Sequence, residues 1–276
     1  MDPRDRMVDI EAIEQAACAD MYAAAPASVA DKLGLESCSI DDGLLLISRR
    51  LDNLVFNRLV GFGVKMPVRE AGIDQAIRAF QGAGVHSWVI QVAPGTDVLS
   101  HVLAARGFSQ HPRTWAKFVR PPEPTAVAPT DLTVREIGCA EADRFGAVAS
   151  EGFGLPPDAA GWVAAIVGRP RWRCFLATDG TQAVAGGAAF IDGNSAWLGL
   201  GATVPSHRGR GAQSALLTAH LAATAGAELV TTETGIPLQG EASPSYNNIQ
   251  RAGFKLAYKR PNLRHPNPAT AAVCGG

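Results

Sequence analysis

An apolar run and a helical pattern are joined by the segment Val204-Pro205-Ser206-His207-Arg208-Gly209-Arg210-Gly211-Ala212-Gln213. The run before it, residues 196–203, predicts a buried strand, and the apolar residues after it recur with helical spacing. The two glycines therefore lie where a helix begins and where its first backbone N–H groups have no carbonyl partner. Unpaired donors at the positive end of a helix dipole are typical of a phosphate-binding loop. Arg208 and Arg210 would add positive charge to such a loop.

Two familiar phosphate-binding patterns do not fit this segment. A P-loop needs a lysine followed by serine or threonine after its second glycine, whereas Ala212 and Gln213 follow Gly211. A dinucleotide-binding fingerprint needs three glycines at fixed spacing and a later acidic residue, and the spacing here does not provide them. A glycine-rich helix start with solvated arginines remains as the alternative without a bound phosphate.

The loop and the following helix resemble the acetyl-CoA signature of the Gcn5-related N-acetyltransferase (GNAT) superfamily, in which a strand ends V-x-P-x-x-R-G-x-G-x-G/A. Thr203 replaces the usual valine and Gln213 replaces the final small residue. The resemblance implies that acetyl-CoA is the acyl donor, with its pantetheine paired to the strand backbone and its pyrophosphate on the loop amides. The cofactor-binding residues that it implies are Gly201, Ala202, Thr203, Arg208, Gly209, Arg210, Gly211, Ala212, Gln213 and Asn248.

Composition limits the partners of this chain. The chain has 276 residues and a formal net charge of −1, which argues against nucleic acid or an anionic membrane as a partner. No apolar run approaches the length that a membrane span needs, and the N-terminus has no apolar core typical of export. The cysteines are widely spread without a C-x-x-C pair, which indicates reduced thiols. We therefore expect a cytoplasmic protein.

A proline-rich segment at 121–130 predicts a linker between two domains, since prolines disfavour helix. We expect a first domain at 1–120, a second at 131–264 and a flexible tail at 265–276. In the second, the pattern predicts strands at 132–137, 173–178, 183–191, 196–203, 228–234 and 254–259, with helices at 140–150, 158–167, after Gly211 and near 245. This order is the one that the GNAT resemblance implies. The predicted fold class is α/β, with two tandem GNAT-like domains, each a mixed, mostly antiparallel sheet flanked by helices.

The first 120 residues have the same outline in weaker form. Helices are predicted at 8–20, 72–81 and 97–106, and strands at 43–48, 57–64 and 87–93. Gly107-Phe108 repeats the Gly253-Phe254 pair, which suggests an internal repeat. Where the phosphate-binding loop should fall, however, residues 63–72 contain no R-G-x-G. We expect a degenerate half that does not bind CoA in the usual way and can complete the acceptor pocket.

The helix near residue 245 is predicted by its ends. Ser243 can cap it, Pro244 suits its first position and Gly253 can close it. GNAT enzymes commonly place a tyrosine four residues before that glycine, as the acid for the departing thiolate, and this chain has Ile249 there. Tyr246 lies one turn earlier on roughly the same face and is the predicted acid. The alternative is an aromatic ring that packs the helix onto the sheet.

Glu233 is the first candidate for the base, because an amine must be neutral to attack a thioester. It lies in a strand of apolar and hydroxyl side chains, where an acidic residue is unusual. The alternative is a buried glutamate satisfied by its neighbours or by Arg260. Family members bind the acceptor near the helices before the first hairpin, so Glu151 and Trp162 are candidate acceptor-binding residues. The histidines lack ligand spacing, and no metal is expected.

These features predict an acetyl-CoA-dependent N-acetyltransferase that acts on a primary amine, of a small molecule rather than a protein tail. The expected assembly is a monomer or homodimer. The alternative from another class is a catalytically inactive acyl-CoA-binding regulatory protein, which the missing tyrosine permits.

Overall fold

The computed structural model describes residues 2–120 and 129–266. Within them the chain forms two mixed sheets, and in each sheet one pair of neighbouring strands is parallel while the others are antiparallel. Helices flank both sheets, so the predicted fold class is confirmed. No helix in the described ranges is long and apolar enough to cross a lipid bilayer.

The N-terminal half begins with two helices and then alternates strands and helices. Its elements are α1 (Pro3–Ala23), α2 (Ala27–Leu33), β1 (Leu35–Ile40), β2 (Gly43–Ser48), β3 (Arg58–Val60), α3 (Glu70–Gly82), β4 (Val89–Gln91), α4 (Asp97–Ala105), β5 (Ser109–Gln110) and β6 (Trp115–Arg120).

The C-terminal half has a first strand and then the same order of elements. It contains β7 (Thr133–Ile137), α5 (Ala142–Phe153), α6 (Ala160–Ala164), β8 (Trp172–Asp179), β9 (Gln182–Asp192), β10 (Ser195–Thr203), α7 (Ala212–Ala223), β11 (Leu229–Gly235), α8 (Pro244–Arg251), β12 (Lys255–Arg260) and β13 (Asn262–Arg264). In both halves a helix connects the parallel pair, α3 between β3 and β4 and α7 between β10 and β11. The repeated order supports the internal repeat suggested by the sequence.

The two sheets exchange strands. One sheet has the order β1-β2-β3-β4-β13-β5, and the other has β12-β6-β11-β10-β9-β8-β7. Strand β6 of the N-terminal half thus lies between β11 and β12, and β13 returns to the first sheet between β4 and β5. Each sheet is therefore built from two separate parts of the chain. The predicted domain limits stay a prediction, and residues 121–128 of the predicted linker and 267–276 of the predicted tail lie outside the described residues.

The predicted elements of residues 131–264 are found within a few residues of their expected ends. The cap prediction is confirmed, since the Ser243 side chain accepts a hydrogen bond from the Tyr246 N–H and Pro244 opens α8. The N-terminal half is less well predicted. Its strand at 57–64 is only β3, because the chain turns at Gly61 and Gly63, both with positive φ. The elements α2, β1, β5, β6 and β13 were not predicted.

Helix α1 joins the two halves. The Trp162 ring lies in the core between them, edge-on to Tyr22 with ring centroids 5.0 Å apart, and its indole N–H donates to the Met21 carbonyl at 2.9 Å. Near the end of α1, the Asp20 carboxylate accepts hydrogen bonds from Arg169 and from the Trp172 indole at 2.7 and 2.8 Å. Apolar packing and an ionic contact thus hold α1 against the C-terminal half.

Candidate functional site

The site begins where β10 and β11 separate. The two strands pair only over Ser195–Leu198 and Leu229–Thr232. Beyond that point β10 bulges against β9, with Gly199 opposite Ala188 but Ala202 opposite Gly186, and Leu200 adopts a positive φ of 56°. A bulge bends its strand, and here it leads β10 away from β11. The parallel pair therefore opens into a gap.

Gly199 leaves room for the Trp197 ring at this opening. A Cβ added there would lie 1.9 Å from the Trp197 ring, which folds back over the glycine. A side chain at this position would displace that ring. The glycine thus lets Trp197 cover the sheet where the strands part.

The predicted phosphate-binding loop lies at the same end of β10. A single turn at Pro205–His207 leads to Gly209 and Gly211, with φ of 83° and 81°, and α7 starts at Ala212. The left-handed conformation favours glycine. It aims the loop backbone and the unpaired N–H groups of the first helical turn to one side. A Cβ at Gly209 would meet no atom within 4 Å, so the space over the loop is open.

The two arginines of the loop have different partners. Arg210 pairs with Asp179 at 2.6 Å and also with Asp131, so acidic side chains already compensate its charge. Arg208 is exposed and donates to the Gly152 carbonyl at 3.1 Å. An anion at this loop would therefore meet the backbone amides and the charge of Arg208, whereas the charge of Arg210 is already paired.

Gln213 and Asn248 come together across α7 and α8. The Gln213 side chain donates to the Ser245 hydroxyl at 2.9 Å and accepts a hydrogen bond from the Asn248 amide at 2.9 Å. These bonds join the start of α7 to α8.

A cavity of about 280 Å³ fills the opening between β10 and β11. Helices α7 and α8 and the ends of both strands form part of its wall, and residues of the N-terminal half form another part. The N-terminal half contributes Cys18, Met21, Tyr22, Leu46, Asn53, Val55, Phe56 and Arg58. Most other lining residues are apolar, with Glu233 among the exceptions.

Glu233 belongs to a buried cluster of charges at the floor of the cavity. Its carboxylate accepts hydrogen bonds from Lys117 at 2.7 Å and from Arg260 at 2.9 Å, and it lies 3.6 Å from Arg58. Lys117 stands directly opposite Glu233 in the sheet register. The predicted alternative for Glu233, a glutamate held by neighbours that include Arg260, is thus present in the structure. Its role as a base stays a prediction.

Helix α1 completes this ion cluster with two acidic side chains. Glu14 contacts Arg58 at 3.0 Å, Lys117 at 2.8 Å and Arg260 at 2.6 Å. Glu11 contacts Arg260 at 2.9 Å and accepts a hydrogen bond from the Tyr258 hydroxyl. Three acidic and three basic side chains of the described residues therefore balance one another. The cluster ties α1 and β3 to β6, β11 and β12.

The ion cluster shifts the pKa values of Glu14 and Lys117. Burial alone would raise the pKa of Glu14, but the charges of Arg260, Lys117 and Arg58 outweigh burial and hold that pKa well below its usual value. Burial would likewise lower the pKa of Lys117, and the charges of Glu14 and Glu233 raise it instead. Glu14 and Lys117 are therefore both charged at neutral pH. The sequence carried a weak signal for them, since Lys117 interrupts the apolar run of β6 and Glu11 and Glu14 adjoin the apolar face of α1.

Solved structures resemble this arrangement although no family model and no curated protein matches the sequence. A Gcn5-related N-acetyltransferase from Kribbella flavida has a TM-score of 0.58 at 18% identity, over 86% of this chain and 92% of that one. Another from Sphaerobacter thermophilus has a TM-score of 0.56 at 15% identity, over 80% and 79%. A tandem GNAT protein from the clavulanic acid biosynthesis pathway has a TM-score of 0.52 at 15% identity, over 75% and 73%. The chain has the GNAT fold.

The structure keeps Tyr246 away from the cavity wall. Its ring packs edge-on against Phe118, with centroids 5.1 Å apart, while Ile249 and Ser245 of the same helix line the cavity. This position favours the packing role named above as the alternative. The acid role of Tyr246 stays a prediction.

The two candidate acceptor-binding residues, Glu151 and Trp162, are not among the residues that line the cavity, and their role stays a prediction. Trp162 is fully buried, with its indole N–H bound to Met21, because it fills the core between the halves. Glu151 is exposed on α5. Their neighbours Phe153, Leu155 and Val163 line the cavity instead. Both helices occur where the sequence predicted them, but the residues of this region that face the cavity differ from the two that were named.

Two further lining residues are poor nucleophiles or bases. Burial raises the pKa of the Cys18 thiol to about 11, so it is protonated at neutral pH. Burial lowers the pKa of His220 to about 4, and the adjacent Gly187 backbone opposes this only in part. His220 is therefore a neutral imidazole at the cavity. Cys174, away from the cavity, has its pKa raised by burial to about 12, in accord with a core thiol.

The corresponding loop of the N-terminal half is occupied by a side chain of the protein itself. Between β3 and α3, the Asp42 carboxylate accepts hydrogen bonds from the backbone N–H groups of Gly63 at 2.8 Å, Lys65 at 2.6 Å and Met66 at 3.0 Å. A carboxylate thus takes the amides that would otherwise face an anion. No group of side chains suited to a metal ion occurs among the described residues, and the expectation of a metal-free protein stays a prediction.

Proposed function

We propose that this protein transfers an acetyl group from acetyl-CoA to a primary amine. The observation that carries the proposal is the meeting of two features at one end of β10. The strand separates from β11 there, and the loop with Gly209 and Gly211 in left-handed conformation opens beside the gap. One feature suits an extended thioester arm and the other a pyrophosphate.

The donor would bind largely through backbone groups. Ala202 and Thr203 pair with β9 on one side only, so their other side faces the gap left by β11. An extended pantetheine arm can add there like a strand. The pyrophosphate would lie on the amides from Arg208 to Gln213, where Gly209 leaves open space.

The proposed reaction needs few side chains. The neutral amine nitrogen attacks the thioester carbonyl carbon, the carbon–sulfur bond breaks, and the thiolate leaves as CoA. Glu233 is the acidic side chain that lines the cavity among the described residues. In the proposal it takes the amine proton, through a water where contact is not direct. Lys117 and Arg260 already donate hydrogen bonds to this carboxylate, so the amine or water would have to share its oxygens with them.

Calorimetric titration with acetyl-CoA tests the donor site. Gly209→Val places a side chain in the space proposed for pyrophosphate and should weaken binding by more than about tenfold. Gly240→Val is the matched control, because Gly240 has a similar φ of 79° and also meets no atom within 4 Å. Equal affinity for the two variants would contradict the proposed cradle. Gly211 is a poorer test position, since its Cβ would meet the Pro129 carbonyl oxygen at 2.9 Å in the protein itself.

A second function is favoured by the state of the predicted catalytic groups. Glu233 is bound by two cations, Ile249 stands where the family tyrosine is expected, and Tyr246 packs on Phe118. An acyl-CoA-binding regulatory protein without catalysis would have these features. A thiol-release assay with a panel of amines separates the two functions, because the regulatory protein binds acetyl-CoA and releases no CoA on addition of amines.

A further inference from the structure

The cavity has two sides, because side chains from both faces of the sheet line it. Gln213, Leu216 and His220 of α7 and Ile249 of α8 form one side, next to the loop proposed for acetyl-CoA. The N-terminal half, α5 and α6 form the other. An amine has to approach the thioester from the side that the donor leaves open. The second side is therefore where the acceptor would lie.

That second side is mostly apolar, with Asn53 and Arg58 as exceptions. Its wall includes Met21, Tyr22, Leu46, Val55, Phe56 and Leu155. Such side chains favour a ligand by removing apolar surface from water, and they give no hydrogen bonds to a polyhydroxylated molecule.

Two hydroxyl groups that line the cavity are already bound to the protein. The Tyr22 hydroxyl donates to the Phe56 carbonyl at 2.8 Å. The Thr232 hydroxyl donates to the Leu198 carbonyl at 2.8 Å. A sugar-like ligand would have to break these bonds or leave its own hydroxyl groups unpaired, and both are costly in a buried site.

The rim of the cavity is apolar as well. Val55 is 36% exposed and Phe153 is 47% exposed, and both line the opening. Large apolar side chains left exposed together at the mouth of a cavity mark a surface that an apolar ligand covers.

Charge at the floor limits the ligand to one ammonium group. Glu233 is the acidic lining residue in the described part of the chain, and Arg58 beside it is the basic one. Lys117, Arg260 and Arg58 already contact Glu233, and the described lining has no other carboxylate that a second cation could meet. Another ammonium group would lie against the apolar wall without a carboxylate, at a cost of desolvation.

We infer that the acceptor is a small primary amine with a single positive charge and an apolar aliphatic or aromatic body. The inference rests on the proposed acetyl transfer and adds the class of acceptor. The volume of about 280 Å³ is near the lower end of the usual range for ligand pockets, about 300–1,000 Å³, and suits a small molecule. The amine points to Glu233 and the body lies between the N-terminal half and α5.

Initial rates with straight-chain amines of increasing length test the apolar body. The ratio kcat/KM should rise about fourfold for each added methylene until the cavity is filled. Diamines of the same length should react more than about a hundredfold more slowly, because their second charge is desolvated. Aminoalcohols should lie between the two series.

A substitution at the rim tests whether the cavity is the source of the preference for apolar amines. Val55→Asp places a carboxylate at the mouth and should lower kcat/KM for the alkylamines by about tenfold while raising it for the diamines. Val98→Asp is the matched control, because Val98 is 63% exposed on α4 and does not line the cavity. Its rates should equal those of the unchanged protein. Acetyl-CoA affinity, measured by calorimetry, should be the same in all three proteins.

The outcomes distinguish this inference from the proposed function. Rates that do not rise with chain length, or that are higher for diamines or aminosugars, would overturn the acceptor class and leave acetyl transfer intact. Equal profiles for Val55→Asp and Val98→Asp would overturn the placement of the acceptor. Absence of acetyl-CoA binding would overturn the proposed function itself, and the inference with it.

Discussion

Glu233→Gln and Glu14→Gln form a matched pair that separates catalysis from stability. Each change removes one negative charge from the same ion cluster and keeps the shape of the side chain, but only Glu233 lines the cavity. Loss of either charge leaves three cations facing two anions. Breaking a buried ion pair from one side costs about 3–5 kcal/mol. We expect Glu14→Gln near the upper end, since Glu14 is fully buried, and Glu233→Gln near the lower end, since its side chain is 9% exposed.

Urea unfolding followed by tryptophan fluorescence gives the two stability losses, and turnover is then compared at equal folded fraction. If Glu233 takes the amine proton, Glu233→Gln should lower turnover by about a hundredfold, while Glu14→Gln should leave it within about twofold. Equal turnover losses would show that Glu233 acts only through the cluster. A loss of stability below about 1 kcal/mol in both variants would refute the account of the buried charges.

Three further predictions concern the donor, the contact between the halves and the acid. Titration should give one acetyl-CoA per chain, because Asp42 occupies the loop amides of the N-terminal half, and a stoichiometry of two would contradict this reading. Hydrogen bonds from Arg169 and Trp172 lower the pKa of Asp20 to about 2, although burial opposes this. The ionised carboxylate therefore stabilises the fold fully at pH values above its unfolded pKa of about 4. This contribution is lost as the pH falls through about 2. Unfolding free energies of the unchanged protein and Asp20→Asn should therefore differ at neutral pH and converge in strong acid, and a constant difference would argue against the ionic contact. Tyr246→Phe should keep turnover, because the ring packs on Phe118 away from the cavity wall, and slower turnover at unchanged acetyl-CoA affinity would support the acid role instead.

Local patterns in the sequence were sufficient for the elements around the donor site. The glycines of residues 204–213 and the Ser243 cap are set by conformations that neighbouring residues impose on one another. Such signals need no distant partner. The order of strands and helices in residues 131–264 could therefore be predicted, and so could the position of the phosphate-binding loop.

Contacts between residues far apart in the chain determine the features that the sequence did not predict. Strand β6 enters the second sheet between β11 and β12, and Lys117 then meets Glu233, 116 positions away, and Glu14, 103 positions away. The sequence singled out Glu233 but could not show that cations hold it, because pairing between distant strands leaves no local periodicity. The same holds for the cavity wall: Val55 and Phe56 reach it only because α1 and β3 pack against the C-terminal half. The sequence by itself determined the loop that faces the donor, and only the tertiary structure determined the surroundings of the candidate base and the side of the cavity on which an acceptor would lie.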